Sequence, residues 1–263
     1  MLRRLTMFPL IWALLPSLAS ANAVPPMATV GGAQAARSHA GTPATTAAPA
    51  SISKSAVVHW HYALKDAVVT QTGADGKTTN SLDLPVVDDL LQTVAEYAGD
   101  YPPHFDNAAE RADVTDKLTR LIIALSSADT GASVNLELLR REAFAFNLGC
   151  NLHLRESCEK TAESYQRLLA MTPDDPAANY LYGIFLGGTA SRQGEAVPYL
   201  EKAGKLGVKQ ANFTLATIYL MQGHKQQALS HMQAYSADFP NDAGAKKFIA
   251  ALQSGKAPGA ATH

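Results

Sequence analysis

Downstream of residue 82, apolar residues recur three and four positions apart, the spacing that collects them on one side of an α-helix. Asp83 heads one such stretch, with Val87, Leu90, Leu91, Val94 and Ala98 as its stripe; Gly99 and Pro102-Pro103 stop it. Asp106 is the expected cap of the next, whose stripe is Val114, Leu118, Leu121, Ile122 and Leu125. Towards the other end, Asn241 and Asp242 head a helix with Phe248, Ile249 and Leu252 on one side and Lys246, Lys247 and Gln253 on the other. Residues 56–81 fit two periods. Val57, Trp60, Leu64 and Val68 have helical spacing, whereas Val58, Trp60, Tyr62 and Leu64 alternate as in a strand. Gly73-Ala74-Asp75-Gly76 is a turn under both, and helix is the preferred reading.

The first 55 residues carry neither period. Residues 1–23 place Arg3 and Arg4 before an apolar run from Leu5 to Leu18 that Pro9 and Pro16 interrupt, then Ala21-Asn22-Ala23. Basic, apolar, then small-x-small is the order of a cleavable export signal, with Ala19-Ser20-Ala21 as the competing cut. About 14 apolar residues fall short of the roughly 20 that span a bilayer, so no stable membrane span is expected after cleavage. No cysteine follows the cut to take a lipid, and the expected location is the periplasm or the outside. Residues 24–55 are Ala, Pro, Thr, Gly and Ser with almost no large apolar side chain, the composition of a flexible linker. The tail 254–263 reads the same way.

Composition sharpens this. Of 263 residues, 47% are apolar, 17% charged and 7% aromatic, and the net charge is -1. Few rings and abundant alanine favour packed helices over a β-sandwich. The absence of a basic excess points away from nucleic acid. Without Arg3 and Arg4 the balance is 20 basic to 23 acidic residues, or -3.

From about 139 the helical pattern repeats. Leu148-Gly149, Tyr182-Gly183 and Leu215-Ala216 are successive anchors, 34 and 33 residues apart, each followed three residues later by Leu152, Leu186 or Tyr219. Thr161 with Tyr165, Ala196 with Leu200 and Ala228 with Met232 follow in phase, and Pro173 and Pro240 close the first and third units. Over about 139–240 the chain resembles the tetratricopeptide repeat (TPR), whose period of about 34 residues has this order of bulky residue, small residue and closing proline. The stretch Glu201-Lys202-Ala203-Gly204-Lys205-Leu206-Gly207, with Ala211, also resembles the Sel-one-like repeat. Departures are clear: Ala145, Asn179 and Asn212 stand where the leading tryptophan belongs, Thr161 replaces alanine, one residue is added at Gly187-Gly188, and Val208 replaces a proline.

The resemblance implies an all-α fold: a right-handed helix-turn-helix solenoid over 131–253, flanking helices over 56–130, and a C-terminal capping helix. It also implies that the small anchor residue faces a small residue of the second helix, letting the backbones approach. Partners of such repeats use the face of the first helices. Carried over, this gives Phe146, Tyr180 and Phe213 three residues before the anchor, Cys150, Ile184 and Thr217 one after, and His153, Gly187 and Leu220 four after, with Met221 beside it. The Lys, Arg and Asn that grip a C-terminal carboxylate in some relatives are missing apart from Asn147. The expected partner is therefore a protein or peptide with an apolar segment. Filling of the same strip by upstream helices, by the linker or by a second copy stays open, as does a structural subunit whose apolar face is buried in an assembly.

Other near-motifs add little. Gly73-Ala74-Asp75-Gly76-Lys77-Thr78 is close to a phosphate loop, but two residues separate its glycines where four are required. His59 and His61 lack a third ligand, and Cys150, His153 and Cys158 lack the tight spacing of zinc pairs. No metal and no cofactor is expected. In an oxidising compartment Cys150 and Cys158 are set for a disulfide, the alternative being two buried thiols. No set of catalytic residues has recognisable spacing, so the expectation is a non-enzymatic protein whose work is contact.

Overall fold

The computed structural model describes residues 58–128 and 134–255. The expected export signal 1–23, the expected linker 24–55 and the last residues of the expected tail lie outside them, as does the boundary expected between 130 and 131. Among the described residues the chain is all-α: α1 Leu84–Ala98, α2 Ala108–Ala128, α3 Leu136–Asn151, α4 Ser157–Met171, α5 Pro176–Gly187, α6 Gln193–Lys205, α7 Ala211–Met221, α8 Lys225–Asp238 and α9 Ala243–Gln253.

The exception corrects the helix expected within 56–81. A 3-10 turn, Leu64–Ala67, leads into β1, Val68–Thr72, which pairs antiparallel with β2, Thr78–Leu82. Six of these ten strand residues are Thr or Val, whose branched Cβ suits a pleated ribbon better than a helix. Gly73 N donates to Lys77 O at 2.8 Å and Gly76 takes a φ of 74°, so the turn closes a hairpin. From this segment Val58 and Ala67 reach the core. The helical spacing of Trp60, Leu64 and Val68 is accidental.

Elsewhere local chemistry sets the helix ends. Asp83 accepts from Val86 N and starts α1, while Asp242 accepts from Gly244 N and Ala245 N and starts α9. The cap of α2 is Asn107 rather than the expected Asp106. Asn107 Oδ1 accepts from Glu110 N at 2.9 Å, and Glu110 reaches back to Asp106 N at 2.8 Å. This reciprocal pair is a capping box moved by one residue.

α3–α4, α5–α6 and α7–α8 are helical hairpins, each packed most heavily within itself. α1, α3, α5 and α7 touch in that order and form one layer, while α2 packs on both α1 and α3. α1–α2 is thus a further hairpin ahead of the three repeats. One core cluster runs from Val58 to Ala228 through all four, and a second gathers Ala216, Met232, Tyr235 and Ala245 beneath Phe213, Phe239, Phe248 and Ile249.

The anchors act through close approach. A Cβ on Gly149 would lie 2.7 Å from Ser157 Oγ, a small residue facing a small one as expected. A Cβ on Gly183 would lie 2.6 Å from Leu200 Cγ, so there a large residue fills the space that glycine leaves. Three departures from the repeat are absorbed locally. Buried Thr161 donates its hydroxyl to Ser157 O at 2.7 Å, the added residue enters a 3-10 turn at Ala190–Arg192, and Gly207, with φ 99°, turns the chain that no proline turns before Val208.

Candidate partner-binding face

The layer of first helices carries the predicted residues, and the structure divides them. Cys150, Ile184 and Thr217, one residue after each anchor, are all half-buried, as are Phe146, Phe213, Leu220 and Gly187. His153 is exposed and Met221 is 62% exposed, with its sulfur accepting from Gln193 Nε2 at 3.4 Å. Tyr180 is different. It is 2% exposed, hydrogen-bonded with Thr214, and burial pushes its phenol up to about 12. It therefore belongs to the core and not to an open wall.

The cause is the closeness of α5 and α7. A Cβ on Gly187 would come within 2.9 Å of Ile218 Cδ1, so the two helices shut over position 180. Phe213 turns towards α8 and the terminal cluster, its ring 5.2 Å from that of Tyr235. The expected row of three aromatics is consequently broken at its middle. What the face offers instead is Phe146 at one end and Ile184, Thr217, Leu220 and Met221 at the other.

Cys150 and Cys158 are joined by a disulfide, with Cα atoms 4.7 Å apart. Two non-glycine residues between them, His153 and Glu156, take φ of 61°. These left-handed positions fold the turn back sharply enough to bring the start of α4 to the end of α3, which helical register alone would leave offset. The same turn docks on the α1–α2 loop. Asn151 Nδ2 donates to Ala98 O at 2.8 Å, and the His153 ring meets Tyr101 edge-on at 5.8 Å. That loop borders the face, and burial raises the Asp100 carboxyl above its ordinary value, with His104 pulling it back.

Sequence reasoning missed the charges that fix the layer. Arg141, 8% exposed, holds both oxygens of Asp88 through Nε and Nη2, at 2.5 and 2.7 Å, and reaches Glu137 through Nη1. Arg140 bonds Glu137 at 2.7 Å and Asp175 at 2.8 Å, and Asp175 itself caps α5 at Ala178 N. One chain of ion pairs thus links α1, α3 and the head of α5. Burial lifts the Asp88 carboxyl above its usual range in spite of the Arg141 guanidinium. The doublet Arg140-Arg141 beside a buried stripe was the available signal, but the partners lie 53 and 35 residues away. Trp60 was missed for the same reason. Its indole donates to Asp113 at 2.8 Å, and Lys117, paired with Asp113, lies 4.2 Å from the ring centre.

His59 and His61 are both exposed, and His61 faces Asp89 at 3.1 Å. Among the described residues no three His, Cys, Asp or Glu side chains gather as a metal site, and no helix is long and apolar enough to cross a membrane. Comparison with family models, with curated proteins and with solved structures finds no match. The class of the protein therefore rests on its own architecture. It is an all-α array of packed helical hairpins with a repeat-like sequence, sealed at one end by ion pairs and at the other by rings.

Proposed function

We propose that this chain is an exported, non-enzymatic scaffold of the TPR type, with Sel-one-like character in its middle unit. It binds a protein or peptide through an apolar segment laid along the first-helix layer. One observation carries the reading. The residue after each anchor, Cys150, Ile184 and Thr217, is left half-buried in phase through three units, although the anchor just before it, Gly149, Gly183 or Ala216, is buried. Cys150 is tied to Cys158 and Ile184 rests partly on the core, yet each unit leaves surface open at this one register, and such a periodic opening suits a ligand that spans units. With Tyr180 closed, the segment is read by Ile184, Leu220 and exposed Met221, whose flexible side chain adapts to apolar surfaces. The linker 24–55 supplies reach, and the leading 23 residues direct export.

A photo-crosslinking residue placed at Ile184, Leu220 or Met221 in cells tests this. One common adduct is expected at all three positions and none at exposed Glu163 or Gln226 on the second helices. Three adduct-free positions overturn the reading. The mass of the exported chain is expected to begin at Val24, and an uncut N-terminus removes the export assignment alone.

A further inference from the structure

The ribbon β1–β2 presents a surface that the helical array does not use. Every residue from Thr70 to Ser81 is exposed, and β2 leans on α2 while β1 has β2 and the 3-10 turn as its main neighbours. The ladder is regular, from Val68 opposite Leu82 to Thr72 opposite Thr78. Asp83 N bonds Ala67 O at 3.0 Å and Gly73 N bonds Lys77 O at 2.8 Å. Bonded pairs alternate in an antiparallel ladder, so Val69 and Gln71 turn their backbone groups inward, and Val68, Thr70 and Thr72 turn theirs outward. Exposed edges are ordinarily guarded by a charge, a proline or a bulge. β1 reads Val-Val-Thr-Gln-Thr and carries none of them.

We propose that the outer edge of β1 pairs with β1 of a second copy of this chain, antiparallel about a two-fold axis at Thr70. The product is a four-stranded sheet in the order β2-β1-β1-β2. Its own residues specify that occupant. Pairing about Thr70 sets Val68 against the other copy's Thr72 and Thr70 against itself, so branched side chains meet at all three outward positions. The strand is neutral, so no like charges face each other. A strand of five residues buries far less than the roughly 1,200 Å² of a lasting complex, so the pair is weak and depends on concentration.

Sedimentation of the intact chain from about 10 µM to about 1 mM reads such a weak equilibrium. The wild type is expected to pass from monomer to dimer within that range. Thr70→Lys and Thr70→Glu each set like charges on the axis and weaken the dimer by roughly fivefold. An equal mixture of the two variants is expected to recover it, since lysine then faces glutamate. Thr70 is exposed at the strand centre, and unchanged far-ultraviolet dichroism shows that each variant keeps its fold. A wild type that stays monomeric throughout overturns the proposal and leaves the edge to an extended segment of another protein. A dimer indifferent to both charges, or a mixture that recovers nothing, overturns it equally.

Discussion

Around α1, α3 and α5 the first helices are tied by charge, whereas around α7, α8 and α9 the helices are tied by rings. Arg141 bridges to Asp88 and Glu137, and Arg140 to Glu137 and Asp175, within a few ångströms of a continuous apolar core. At the other end Tyr235 lies 5.2 Å from Phe213 and 4.6 Å from Phe239, and its hydroxyl donates to Asp242, the cap of α9. Charge can bridge helices that sequence separates by 53 residues and still fix their register, because a guanidinium engages a carboxylate in one geometry. Stacked rings fill volume and are indifferent to small slips. The half that carries the flanking hairpin α1–α2 is thus held in register by directional bonds. The half that ends the array is closed by packing.

Breaking the charged end should cost most. Arg141→Ala leaves Asp88 buried without its partner and is expected to lower stability by as much as about 5 kcal/mol in urea unfolding. The double change Asp88→Leu with Arg141→Met should recover most of that loss, because it removes both charges together. A single variant within about 1 kcal/mol of wild type would mean that the network is ornamental. At the ring end, Tyr235→Ala should cost about 4 kcal/mol. Hydrogen exchange separates the two ends: protection should fall in α7, α8 and α9 and persist in α1 and α3. Uniform loss would make the molecule one cooperative unit with no distinct ends.

Alkaline pH probes the phenols across both regions. Burial raises Tyr165, Tyr180 and Tyr235, and Tyr180 stands near 12 against an ordinary 10.0. The folded protein keeps these protons where the unfolded chain gives them up. The contribution of Tyr180 is therefore whole below pH 10 and is lost as pH rises towards 12, and those of Tyr165 and Tyr235 decline over the same rise and beyond it. For Tyr180 alone the loss is about 3 kcal/mol. Tyrosinate absorbance that reaches its full nine-phenol amplitude near pH 10 with the fold intact would contradict it. Smallest is the clamp across the turn from α3 to α4. Opening the disulfide frees a loop of eight residues and should cost about 2.5 kcal/mol, seen as a lower urea midpoint in reductant. No shift would show that the left-handed turn at His153 and Glu156 holds by itself.

The repeats were legible because their signal is local and periodic. Gly149, Gly183 and Ala216 stand in phase, and one stripe of large residues per helix gives both the helix and its buried face. The hairpin α1–α2 escaped the period for a visible reason. α2 has 21 residues where α4, α6 and α8 have 15, 13 and 14, so no spacing of about 34 leads into it. β1 and β2 were misread because three apolar residues at helical intervals outweighed a run of threonines. Of the candidate face, the register was legible and the exposure was not. Phe146, Tyr180 and Phe213 hold the same position in three units, yet one is half-open, one closed and one turned towards the terminal cluster around Tyr235.

Beyond residue 82 the sequence by itself determined that the chain is helical and which face of each helix is apolar. Caps, glycines and 3.6-residue periods act within a few residues of chain. Only the tertiary structure decided what those faces meet. Whether Tyr180 is wall or core depends on how closely α7 approaches α5, which Gly187 and Ile218 set jointly across two units. Whether Arg141 is solvated or locked depends on Asp88, whose carboxylate arrives from another hairpin. Such distances are fixed by packing over the whole array, and no single stretch of chain contains them.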